Sequence, residues 1–267
     1  VPEEAQGEEG VKKLACVVVA LSLLGVAVPH SLAEVSQEGN LRVAFSGEIA
    51  PHALPRDGSA PIAVSMSGKI TTIDGAPPPA LQTFQVALNR AGRIDTKGLP
   101  TCRLNQIQPA TTAAAKRACG ASLVGRGTFA ANVAIPEQSP FPSRGQLLAF
   151  NGAQGGRPVI FAHIYGTEPV PTSFTLPLRI TKAQGTFATV LTGSLPEVAA
   201  NVAFVTGISL TLGRTFAEHG ERRGYIGANC PAPEGFAAAP FPLARSSFGF
   251  ADGRTLRSVL NRSCRVR

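Results

Sequence analysis

The chain has 267 residues, 44% hydrophobic and 16% charged, with 28 Gly, 22 Pro and a formal charge of +8. That is enough to bury a sizeable core in one domain, and the Gly and Pro frequency suits short strands joined by turns, not a helical bundle. A basic balance suggests anionic partners, although abundant Ala, Gly, Pro and Arg with little Lys is also what a GC-rich genome produces.

The amino-terminal 33 residues have the layout of an export signal. Lys12 and Lys13 precede an apolar run over 14–28, and Ser31-Leu32-Ala33 supplies small residues at the −3 and −1 positions of a cleavage site. The run is too short for a comfortable membrane span. Cys16 does not mark a lipoprotein, because Lys13 stands where an aliphatic residue is needed. The acidic stretch 1–10 ahead of this layout predicts a start at Val11. The expectation is a signal peptide with leader over 1–33 and a single β-sandwich domain over 34–267, secreted or held in the cell envelope, with no transmembrane segment after cleavage.

From Leu41 onward apolar and polar residues alternate. Residues 41–47 and 62–73 read as strands, the second bent at Gly68, and the proline run 76–79 must be a loop. Phe84, Val86 and Leu88 face one way, and Ala91-Gly92 is expected to turn that strand into a hairpin with Arg93-Ile94. The one plausible helix covers 113–118, capped by Thr111 or Thr112 and stopped by a left-handed Gly120. Further strands follow at 123–135, 147–150, 159–165, 176–181, 186–195, 204–212, 246–250 and 255–260. A glycine-rich connection spans 151–156, a loop runs from 230 to 242, and Asp252-Gly253 signals a hairpin turn.

Four cysteines lie beyond the signal: Cys102, Cys119, Cys230 and Cys264. They allow three pairings. Neither close pair has the short spacing of a zinc site, and an exported chain meets an oxidising compartment. Cys102–Cys119 and Cys230–Cys264 are the expected bonds, because each brackets a compact local segment. No metal site and no cofactor are expected.

Phe150-Asn151-Gly152, Ala162-His163-Ile164-Tyr165-Gly166-Thr167, Pro169-Val170-Pro171-Thr172-Ser173 and the ending around Cys230-Pro231-Ala232-Pro233, Phe248-Gly249-Phe250-Ala251-Asp252-Gly253-Arg254 and Cys264 resemble an uncharacterised family of exported bacterial proteins. The resemblance implies export and a β-rich body. It brings no activity and no site residue with it.

Chemistry-bearing residues are few. The run 159–165 reads as a central strand buried on both faces and carries His163 and Tyr165. There is no G-x-S-x-G motif. Glu137 and Glu168 lie in loops on either side of that strand, and with His163 they are the candidates for a loop-formed hydrolase site; a Ser-His-Asp set could also assemble around His163 or His219. His163 has Val159, Phe161 and Tyr165 on its own face, which favours a packed, neutral imidazole over a catalytic one. Arg222, Arg223, Arg262, Arg265 and Arg267 are candidates for an anion-binding patch facing a cell-wall polymer or lipid headgroups. With few aromatics between them they do not suggest nucleic acid. The chain is therefore expected to be an all-β, antiparallel β-sandwich of jelly-roll or Greek-key order with one short helix. It would serve as a disulfide-stabilised envelope-associated binding or structural module, with a secreted hydrolase as the rival reading.

Overall fold

Period-2 patterning organises the described chain. Over Leu41–Ala50, Leu41, Val43, Phe45 and Ile49 are buried while Arg42 and Glu48 are exposed, as a strand with one covered face requires. The computed structural model describes residues 33–134, 137, 139–168, 171–196, 203–218 and 220–267. The expected export signal over 1–33 thus lies almost entirely outside the described residues. Among them the strands are β1 (Glu34–Glu38), β2 (Leu41–Ala50), β3 (Ala53–Leu54), β4 (Ala60–Thr72), β5 (Leu81–Asn89), β6 (Gly92–Ile94), β7 (Leu123–Val133), β8 (Phe141–Gln154), β9 (Arg157–Gly166), β10 (Thr172–Lys182), β11 (Phe187–Ser194), β12 (Ala203–Leu212), β13 (Thr215–Glu218), β14 (Glu221–Gly224), β15 (Ile226–Ala228), β16 (Ala238–Phe250) and β17 (Thr255–Val266). Two helices, α1 (Leu104–Ile107) and α2 (Thr112–Cys119), separate β6 from β7. No helix among the described residues is long and apolar enough to cross a membrane.

Thirteen of these strands form one hydrogen-bonded path in the order β1-β2-β4-β12-β7-β8-β9-β10-β11-β5-β16-β17-β3. Only the β17–β3 pairing on it is parallel. The path curls on itself. Phe45 on β2 and Phe248 on β16 meet edge-to-face with ring centroids 6.1 Å apart, and Arg262 Nε on β17 donates to the Gly47 carbonyl on β2 at 2.7 Å. Arg254, in the β16–β17 turn, donates to the Glu38 carbonyl and to Asn40 Oδ1. The fold is therefore all-β and mainly antiparallel, but it is one continuous curled half-barrel where two stacked sheets were expected. The right-handed twist accumulated over so many strands bends a single sheet round. Strands β7 to β11 form a simple meander, whereas β12 returns between β4 and β7, and β5 lies between β11 and β16.

Several local expectations are corrected. β6 does not pair with β5; it pairs with β15, which also pairs with β4. β5 is instead held by β11 and β16. Residues 151–154 belong to β8, and the β8–β9 turn is the pair Gly155-Gly156, both at positive φ (57° and 73°), the backbone that a two-residue type I′ hairpin needs. β16 begins at Ala238, inside the stretch read as a loop. Its Pro240 and Pro242 pair with β17 alone, since the β5 ladder starts only at Ala244, so their missing N–H groups cost the β5 ladder nothing. Thr111 caps α2 by accepting from the Ala114 amide at 3.2 Å. Gly120, however, is right-handed (φ −57°) and continues into a short 3₁₀ turn.

Both disulfides are present as expected: Cys102–Cys119 and Cys230–Cys264, with Cα separations of 5.5 and 5.6 Å. The central strand β9 is buried on both faces from Val159 to Ile164. Its alternate residues divide the core in two. Ile160, Ala162 and Ile164 belong to the large cluster inside the curl, while Val159 and Phe161 join Leu148, Phe150, Ile107 and the first disulfide on the convex side, under the helices.

Candidate functional site

The concave side of the sheet encloses an apolar cavity of about 90 Å³. Its wall is drawn from strands on opposite sides of the curl, among them Phe45, Ile70, Leu147, Ile164, Leu178 and Leu212. Ser67 is the single hydroxyl on it, and no charged residue lines it. Met66, Phe84, Val86, Phe129, Ile208 and Leu210 line it too, and each is only half-buried although it sits in mid-strand. Apolar side chains packed into a filled interior lose nearly all exposure, so this residual exposure belongs to a hollow. Gly68 widens it: a Cβ there would approach nothing closer than 3.6 Å, the Ile208 Cγ2.

The hollow borders a gap in the sheet. The β4–β12 ladder runs from Leu212↔Val64 to Gly207↔Lys69 and stops. Beyond it, Ala203 to Val205 pair with β7 alone, after a bulge at Thr206, and Ile70 to Thr72 pair with β2 alone. Between the parted strands lies a cleft of about 540 Å³ lined by Lys69, Thr71, Thr72, Thr206 and Asn132. Ser67, Gly68, Ile70 and Ile208 line the cleft and the apolar cavity together, which makes the two spaces neighbours.

The outer face of this wall is rich in hydroxyls paired across strands. Ser46 and Ser67 lie 2.7 Å apart, Ser65 and Thr211 2.9 Å, and Thr128 and Ser209 2.8 Å. These bonds hold β2, β4, β12 and β7 in register on either side of the gap. The loop after β4 forms another wall of the cleft and is fixed by Asp74, which accepts from Asn40 Nδ2 at 2.9 Å and from the Ala76 amide at 3.1 Å. Those two bonds hold the Asp74 carboxyl below its ordinary pKa.

The residues singled out as a hydrolase site do not converge. His163 is fully buried (0% exposed) on the convex face, where its Nδ1 lies 3.4 Å from Thr175 Oγ1. Burial pushes its pKa below the ordinary histidine value, and the Ile107 backbone opposes that shift only in part. Nε2 has no hydrogen-bond partner among the described residues. Glu137 and Glu168 are exposed, and the Glu168 backbone carbonyl accepts from Ser143 Oγ at 2.7 Å. No hydrogen bond or ion pair joins any two of the three among the described residues.

The arginine candidates separate as well. Arg223 is held by a close contact with Glu218 and by Asp95 at 3.2 Å, which together raise its pKa. Arg262 is held by the Gly47 carbonyl. Arg265 is exposed on β17. Arg222 and Arg267 instead meet Arg214 around a cleft of about 580 Å³ whose floor includes Pro51, Pro61 and Ala63. Arg214 donates to the Ala121 and Leu123 carbonyls, the latter at 3.1 Å, and none of the three has a carboxylate partner among the described residues.

Sequence reasoning did not single out Arg214, Lys69 or the cavity. One signal for Lys69 was available: Ser65, Ser67, Lys69 and Thr71 are the alternate positions of one strand, a wholly polar face broken by a single cation. Compared with known proteins, the chain matches no family model, no curated protein and no solved structure.

Proposed function

We propose that this chain is an extracytoplasmic binding module that accommodates a small apolar group inside its curled sheet. The observation that carries this reading is the hollow at the centre of the fold, apolar but for Ser67. An empty cavity of that kind forfeits dispersion contacts on every wall, and an apolar occupant restores them. A cavity of roughly 150 Å³ lined by aliphatic and aromatic groups admits benzene; about 90 Å³ suits the end of an alkyl chain. Export is supported by the two disulfides, which persist in oxidising compartments, and by the resemblance to exported proteins. Attachment to an anionic polymer or to lipid headgroups of the envelope is supported by the cleft where Arg214, Arg222 and Arg267 meet.

The test is ligand-observed NMR with octanol on the purified protein, repeated on an Ala162→Leu variant. Ala162 lines the hollow on β9, and a leucine there occupies the space. Saturation transfer to octanol in the wild type, lost in Ala162→Leu at an unchanged melting temperature, supports the reading. Absence of transfer in the wild type overturns it.

A further inference from the structure

We infer that the ligand is an amphiphile with an anionic head, its tail in the apolar hollow and its head in the β4–β12 gap beside Lys69; this rests on the reading of the hollow as a binding site. Three observations converge on it.

The hollow and the polar cleft share Ser67, Gly68, Ile70 and Ile208, of which Ile70 alone lies past the end of the β4–β12 ladder, so a molecule passing beside Ile70 meets apolar walls at one end and hydroxyls at the other. The cleft is the larger space, about 540 Å³ against about 90 Å³. A short tail with a substantial head fits that proportion.

The gap is also chemically prepared for a head. Past Lys69 and Gly207 the facing edges of β4 and β12 have no ladder partners on that side. Backbone groups there are free of the sheet and, with Thr71, Thr206 and Asn132, can bond a polar group.

The charge of the head follows from the row in which Lys69 sits. Its cross-strand neighbours are Ala44 on β2 and Gly207 on β12, and the next position beyond Gly207 is Ala130 on β7. Three small residues leave the ammonium without the opposite charge that exposed sheets usually set across from a lysine, and Lys69 has no ion pair among the described residues. Asp74, the carboxylate nearest in sequence on the cleft's loop wall, is engaged by Asn40 and the Ala76 amide and is not part of the lining. A carboxylate or phosphate head would supply the missing partner as a charge-assisted contact.

The experiment compares octanoate, octyl phosphate and octanol, three heads on one tail, against the wild-type protein and a Lys69→Ala variant by titration calorimetry or ligand-observed NMR. The expected result is that one or both anions bind the wild type about fivefold more tightly than octanol. Added salt should shrink that preference, and Lys69→Ala should abolish it, bringing the anions and octanol to one affinity. The two anionic arms identify which head is taken. Equal affinities for anion and alcohol in the wild type, or a preference that survives in Lys69→Ala, overturn the anionic head and leave the apolar site standing. Binding of none of the three probes overturns both.

Discussion

The two faces of the curled sheet are packed in opposite ways, and two glycines, Gly152 on β8 and Gly68 on β4, make the difference plain. Gly152, on the convex face, has no room at all: a Cβ there would stand 2.5 Å from the Phe161 ring and 3.1 Å from the Cys102 carbonyl. That closeness lets the Cys102 backbone bridge directly to Gly152 and brings the disulfide and helices down onto Phe150 and Phe161, both fully buried. Gly68, on β4 at the concave face, has room for a methyl: a Cβ there would make only ordinary contacts, 3.6 Å from Ile208 Cγ2 and 3.8 Å from the Phe248 ring. The convex layer is a finished core that fixes β8 and β9 as a stiff back wall. The concave side keeps a hollow between side chains that the curl holds apart. A sheet with one face locked and the other loose can lose or gain an occupant without moving its strands.

Large-to-small substitutions should separate the two faces most strongly. Phe161→Ala is expected to destabilise by about 3–5 kcal/mol, because it opens a new cavity in a filled layer. Phe84→Ala, whose ring already borders the hollow, should cost clearly less. Urea unfolding of both variants measures this, and equal losses would break the comparison. Removing the first disulfide with Cys102→Ser and Cys119→Ser together should cost up to about 3 kcal/mol for a closure of 17 residues. It should also raise amide exchange in α1 and α2 ahead of the inner strands, and uniform exchange across the sheet would argue against a separately stapled outer layer. Between the glycines, Gly152→Ala should destabilise by about 1–3 kcal/mol through overpacking, while Gly68→Ala should stay within about 0.5 kcal/mol of wild type. A costly Gly68→Ala would mean that the concave side is as full as the convex one.

The elements at work in this comparison were legible in the sequence to different depths. Val159 and Phe161 against Ile160 and Ala162 could be sorted onto two faces, since a strand's period is two. The pairing of Cys102 with Cys119 could be chosen from locality. The hollow was not legible: Phe45, Phe84 and Phe129 each look like core residues, and whether their side chains fill the space between them depends on how tightly the sheet curls, a property of all its strands together. Nor was the opening. It depends on β12, more than 130 residues beyond β4 in the chain, parting from it at Gly207, and no local pattern encodes where two distant strands separate. Arg222 and Arg267 stood out as charge, but Arg214 joined them only through the return of β12 and the β13–β14 hairpin. The sandwich expectation erred for the same reason, since alternation specifies a covered face and leaves open whether one sheet or two provide the cover.

The smallest expected effect is a pH dependence, and it probes the locked face alone. His163 is buried in the convex layer, and burial lowers its pKa in the folded protein. The groups at its ring, Thr175 and the Ile107 backbone, do not ionise in this range, so desolvation is the governing cause. The unfolded chain binds the proton with the ordinary histidine affinity, near pH 6.5. Between that value and the lowered folded one, the unfolded state holds a proton that the folded state does not. Stability therefore falls as the pH is lowered through this window, with a slope bounded at about 1.4 kcal/mol per pH unit for one proton, and levels off below the folded pKa. His163→Gln removes this proton while keeping a polar group beside Thr175. Whatever stability the variant starts from, the informative quantity is the slope: across pH 5 to 7 it should be flatter than wild type by the contribution of one titrating group. Identical slopes would place His163 in contact with solvent and show that the convex layer is not sealed.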